Sequence, residues 1–168
     1  MKKTILCAMF AVMLCGAASA QRYMVVNSEK VFKSLSDYNG AITELDRLAA
    51  QYQNNVDNAY RQVEQMYNDY QNEKSTLSAA ARQAREDAII ASEKKIADYQ
   101  QEVFGQDGTL MRTRVEKLRP IQDRVFGVIN RYAERNGYTL VLDVAASPSI
   151  LYYAPSEDKT DDIIKLLK

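Results

Sequence analysis

Asp158, Asp161 and Asp162 are the residues whose type and spacing come nearest to holding a metal ion. A Ca²⁺ site needs several oxygens converging in one loop, and these carboxylates are the one loose candidate for it. A simpler reading is available. Asp161 and Asp162 follow Thr160 at the start of a short segment that ends in Lys165 and Lys168, and that order of charge suits a helix dipole. Glu86-Asp87 and Glu157-Asp158 are carboxylate pairs of the same ordinary kind. The chain has no His, and its two cysteines, Cys7 and Cys15, lie in the first 20 residues. If those residues are removed, the usual general base, thiolate nucleophile and transition-metal ligands go with them or were never present. No G-x-x-x-x-G-K-[ST] or G-x-G-x-x-G run can cradle a phosphate. The expectation is a protein that is not an enzyme and uses no metal and no cofactor.

Removal of the first 20 residues is itself expected. Lys2 and Lys3 precede the apolar stretch Ile5 to Cys15, and Ala18-Ser19-Ala20 follows. A basic start, a short apolar core and a small-x-small exit describe a secretory signal peptide, too short to remain as a spanning helix. Leu14 stands before Cys15 where a lipidated signal would carry a small residue. Cleavage after Ala20 would leave Gln21 to Lys168, exported to the periplasm, with no later segment apolar enough to cross a membrane. That product has 20 basic and 22 acidic residues, a net charge of −2. Such a balance argues against a nucleic-acid partner, which selects a basic patch or stripe.

The elements that would position any site are mostly helical. Tyr38, Ile42, Leu45, Ala49, Tyr52, Val56, Ala59, Val63, Met66 and Tyr70 are spaced by fours and threes. That average of 3.5 keeps one seam of a helix turned toward a partner helix. The seam lapses at Glu73, and Ser75-Thr76-Leu77-Ser78 reads as a turn, with Ser78 capping a second helix. Ile89, Ser92, Ile96, Tyr99, Val103, Gln106 and Leu110 continue the pattern there. The natural reading is an αα-hairpin with arms of about 60 Å; a single helix running through Ser78 is the alternative. Gly105 and Gly108 mark a soft point, after which the apolar phase moves to Met111, Val115, Leu118, Val125, Ile129 and Tyr132. Pro120 should kink or restart the helix near Arg119, and Asn136-Gly137 should end it.

The remaining segments form a small head. Tyr23 to Val26 is of strand type, Asn27-Ser28 offers a helix cap, and Ser36-Asp37 can cap the first arm. Two further strands are expected, Tyr138 to Asp143 and Ile150 to Tyr153, and Thr160 can cap the last helix. The fold class is therefore α+β and mostly helical. In chain order come a signal peptide (1–20), an N-terminal head segment (21–36), a helical hairpin (37–118) and a C-terminal head segment (119–168). Three short strands leave two open edges, which favours oligomerisation without fixing the number of subunits.

Of the 11 tyrosines, Tyr38, Tyr52 and Tyr70 fall on the seam and read as packing. Tyr60 and Tyr67 lie one position beyond it, and Ile90, Phe104 and Met111 extend the same idea on the second arm. They either widen the helix contact or form an adaptable apolar surface for a partner.

Several stretches together resemble the Skp/OmpH family of periplasmic chaperones. The segment from Pro120-Ile121-Gln122 to Gly137-Tyr138-Thr139-Leu140-Val141-Leu142-Asp143 is similar to that family's helix and Gly-Tyr-x-x-Val-Leu-Asp strand. Ile150 to Tyr153 resembles its next strand, and Asp158-Lys159-Thr160-Asp161-Asp162-Ile163-Ile164 its closing helix. Met24-Val25-Val26-Asn27 and Ser36-Asp37-Tyr38 fit as well. The resemblance implies a homotrimer whose heads join in a small β-barrel, with hairpins surrounding a cavity that holds unfolded outer-membrane β-barrel proteins without ATP. Val25, Leu140, Leu142, Ile150 and Tyr152 would then build the trimeric head, and client contact would spread over the arms. One departure is electrostatic. Residues 37–77 hold three basic and seven acidic residues, and 79–118 hold seven of each. Only Lys74, Arg82 and Arg85 gather near the arm tip, which argues against electrostatic capture of lipopolysaccharide. A periplasmic spacer or adaptor that docks one fixed partner is the competing reading.

Overall fold

The computed structural model describes residues 22–147 and 149–168. The signal peptide and the cleavage point after Ala20 lie outside the described residues. The elements are β1 (Tyr23–Val26), α1 (Ser28–Lys33), α2 (Ser36–Glu73), α3 (Ala79–Phe104), α4 (Thr109–Arg135), β2 (Leu140–Asp143), a 3₁₀ turn (Pro155–Glu157) and α5 (Thr160–Leu167). The chain divides into two compact units, one from the N-terminal part to Val31 with Phe126–Lys168, the other Phe32–Val125.

In the first unit β1 and β2 pair in parallel, with Tyr23 opposite Leu140 and Val26 opposite Asp143. On its other side β1 meets Asp158 through a bridge at Val25, and the Lys159 amide donates to the Val25 carbonyl at 2.9 Å. A strand flanked on both edges and covered on both faces must be apolar throughout, and Met24, Val25 and Val26 are fully buried. Three polar contacts tie the two ends of the chain together here. Asp143 accepts hydrogen bonds from the Ser28 amide at 3.1 Å and the Ser28 hydroxyl at 2.6 Å. The buried Thr160 hydroxyl accepts the Asn27 amide at 2.9 Å. Gly137, at φ 69°, lets α4 stop, with the Tyr138 amide returning to the Ala133 carbonyl at 2.9 Å.

Two head expectations change. Ile150 to Tyr153 is not a strand: it pairs with neither described strand, and Leu151 is 94% and Tyr152 83% exposed. The described sheet accordingly has two strands, not three. Thr160 does not cap α5; its hydroxyl is taken by Asn27, and Lys159 precedes the helix without a side-chain cap.

The second unit is the αα-hairpin. α2 runs 38 residues without a break, and every member of its expected seam is buried or half-buried. Val56, Val63 and Tyr70 pack with Ile89 and Ile96 of α3, flanked by Ala59, Met66, Leu77 and Tyr99. The turn falls at residues 74–78, where the Ser78 hydroxyl accepts the Ala81 amide at 3.2 Å, so the single-helix alternative does not hold. Ser36 begins α2 rather than capping it, and Leu35 precedes it with no side-chain cap.

The returning arm is interrupted between Phe104 and Thr109, at the two glycines. A Cβ on Gly105 would collide with the Gln101 carbonyl oxygen, and one on Gly108 would stand 2.8 Å from the Val103 carbonyl oxygen. Beyond the break Leu118, Val125 and Ile129 of the expected stripe are buried, with Ile121 beside them, while its first members, Met111 and Val115, are exposed. Pro120 sits inside α4, which continues through it. One lost donor is tolerated because Leu118, Ile121 and Val125 are buried on either side of it. Ion pairs Lys117–Glu44 (2.8 Å) and Arg124–Asp37 (2.6 Å) fasten α4 beside the start of α2.

Candidate functional site

Tyr60 and Tyr67 each stand four residues beyond a seam residue, Val56 and Val63, about 40° around α2. Gln100 stands in the same relation to Ile96 on α3, and the Tyr60 hydroxyl donates to its side-chain oxygen at 3.3 Å. That contact places both positions on one flank of the hairpin. Ile90 and Phe104 each follow a seam residue of α3, Ile89 and Val103, and so turn toward the same flank, farther out. Cross-helix contacts Met66–Ser92 and Tyr70–Glu86 bracket Tyr67 and Ile90, setting them at one level. Phe104 also meets the Tyr52 ring edge-on at 6.3 Å. With Met111 it lines a hollow of about 350 Å³ at the glycine break. Tyr60, Tyr67, Ile90, Phe104 and Met111 are between 39% and 61% exposed. The structure thus brings four of the five onto one flank, with Met111 at its base.

The opposite flank holds a feature that the sequence reading missed. A cleft of about 500 Å³ opens between α2 and α3, floored by Val56, Ala59, Val63, Met66, Ile96 and Tyr99. Asn55, Gln62, Ser92 and Lys95 form its edges. Its volume follows from small residues: Ala59 lies on the seam between Val56 and Val63, and Ser92 between Ile89 and Ile96. That signal was legible in the spacing, but which residues face each other across the arms was not.

The arm-tip cations are engaged within the tip. Lys74 Nζ lies 5.5 Å from the Tyr70 ring centre, Arg82 Nε donates to the Leu77 carbonyl at 3.2 Å, and Arg85 pairs with Glu73 at 3.2 Å. The Tyr70 hydroxyl donates to Glu86, and that bond, with burial and the carboxylate's charge, raises the phenol above its ordinary pKa.

The head residues divide. Val25 is fully buried, Leu142 and Ile150 are half-buried, and Leu140 and Tyr152 are exposed. The three aspartates considered for Ca²⁺ have separate partners: Asp158 accepts the Thr160 amide at 2.9 Å, Asp161 pairs with Lys30 at 2.9 Å, and Asp162 accepts the Tyr132 hydroxyl at 3.1 Å. The Lys30 hydrogen bond holds the Asp161 carboxyl below the ordinary range, while burial and Asp162 raise the Tyr132 phenol. Among the described residues no helix is long and apolar enough to cross a membrane.

The chain thus has a long helical hairpin with half-exposed apolar residues on one flank, joined in sequence to a small unit built on a parallel strand pair. The family model of OmpH-like outer membrane proteins matches residues 22–167, and the chain belongs to that family. No curated protein matches it. It is similar to a solved structure from Caulobacter crescentus, that of a candidate outer membrane chaperone (OmpH-like). The two are 13% identical, with a TM-score of 0.70 over 90% of this chain and 86% of the other. At that identity the likeness is one of fold.

Proposed function

We propose that the chain is an ATP-independent holdase of the periplasm, which binds unfolded outer-membrane β-barrel proteins and keeps them from aggregating. The observation that carries this reading is the apolar flank of Tyr60, Tyr67, Ile90 and Phe104, left half-exposed beside the packed seam residues Val56, Val63, Tyr70, Ile89 and Ile96. Tyr and Met offer large contact area with loose shape demands, which suits clients that share no sequence. Membership of the OmpH-like family supports it.

In this reading export removes residues 1–20, and three copies join through their heads. The exposed segment Leu151–Tyr152 and the half-exposed Leu140, on the strand whose outer edge is open, would be covered by a neighbouring copy. Val25 would contribute by holding β1 in place. With Lys74, Arg82 and Arg85 engaged inside the tip, client capture rests on apolar contact rather than on anionic lipid.

The Tyr60→Asp/Tyr67→Asp double variant tests the site. It should suppress aggregation of a denatured outer-membrane β-barrel protein several-fold less well than the parent, at unchanged mass by sedimentation. Dissociation of the assembly would instead make those tyrosines structural.

A further inference from the structure

The cleft opposite the tyrosine flank runs from the level of Asn55 to that of Met66, a slot about 16 Å long at 1.5 Å per residue. An extended chain rises about 3.3 Å per residue, so five residues span it. The only charged side chain lining it is Lys95, and among the described residues no carboxylate pairs with that ammonium. Extrapolating from the Met66–Ser92 and Tyr70–Glu86 contacts, Lys95 lies near the level of Gln62, in the middle of the slot. A head-and-tail amphiphile would want its charge at one end. A peptide places a charge at its centre and apolar side chains on both sides.

The edge also suits a backbone. An extended segment carries unpaired N–H and C=O groups. Gln62 offers both an amide donor and an acceptor beside the slot, and Asn55, whose nitrogen donates to the Tyr99 hydroxyl at 3.1 Å, keeps its oxygen. We infer that the cleft seats one extended polypeptide segment with apolar residues at its ends and a carboxylate at its centre held by Lys95. This inference rests on the holdase reading and sharpens it: the exported chain would favour acidic-centred apolar segments within an unfolded client.

The test uses three capped, fluorescently labelled pentapeptides, Val-Thr-Asp-Thr-Phe and its Asn-centred and Lys-centred analogues, with binding followed by anisotropy. The parent should bind them in the order Asp, Asn, Lys, each step roughly threefold, the size expected of a solvent-exposed charge contact. Lys95→Glu should reverse the order. Ala59→Leu, which fills the cleft with a good seam residue, should abolish binding of all three at unchanged helicity. An unchanged order in Lys95→Glu, or undiminished binding in Ala59→Leu, would overturn the inference. A change of oligomeric mass in either variant would assign the cleft to a second copy of the chain and overturn it too. Failure of the holdase reading has a separate signature, in that the parent itself would not suppress client aggregation, whatever the peptides do.

Discussion

At Thr160 a buried hydroxyl accepts the Asn27 amide from the far end of the chain. Thr160→Val keeps the shape and leaves a part-buried N–H without its partner. It should cost about 1–3 kcal/mol in urea unfolding at fixed protein concentration, and Thr160→Ser should recover most of that. The residue looked like a cap because threonine before acidic residues usually is one. A partner 133 positions away leaves no mark in local spacing. Two carboxylates add a pH dependence. The Lys117 hydrogen bond and charge hold Glu44 below its ordinary value. Burial pushes Asp37 up, but Arg124 outweighs it and the carboxyl is lowered. A depressed carboxylate stabilises the fold above its unfolded pKa, and that stability is lost as pH falls through the folded value. The melting temperature should therefore fall as pH drops from about 5 into the acid range. Lys117→Met should melt lower at neutral pH and show a shallower acid decline; equal slopes in the two proteins would contradict the pairing.

Among the elements, the hairpin was the most legible, because a seam of fours and threes constrains a helix and its partner together. The glycine break was legible for a related reason: two glycines this close argue against an unbroken helix. Their substitution separates two roles of glycine. Gly108→Ala forces a Cβ against the Val103 and Glu102 carbonyls and should lower the melting temperature. Gly40→Ala, with nothing within 4 Å and inside α2, should raise stability by about 0.5–1 kcal/mol. Opposite signs by thermal unfolding are the expected result. Other elements were misread because tertiary context overrides local preference. Pro120 does not restart the helix, which runs through it from Thr109 to Arg135, and Ile150 to Tyr153 has strand composition but pairs with no strand of the described chain. The apolar phase after the break holds at Leu118, Val125 and Ile129, which are buried, and fails at Met111 and Val115, which are exposed. The cleft was missed because its volume depends on Ala59 and Ser92 occurring on the same stretch of two different helices.

For the whole molecule, a seam closed by its own buried residues leaves the apolar flank residues Tyr60, Tyr67, Ile90 and Phe104 for something other than the chain itself. Chaperone and spacer differ in what that surface tolerates, since a spacer requires one defined partner and a holdase accepts many unfolded chains. The exposed Leu151–Tyr152 segment belongs at this scale too, as a single chain gives it no covering. The most direct measurement dilutes a denatured outer-membrane β-barrel protein into ATP-free buffer containing the exported chain and follows light scattering against its concentration. A holdase that works as a closed trimer predicts suppression saturating near about three chains per client. Undiminished scattering at every ratio would contradict it and leave the hairpin as a spacer.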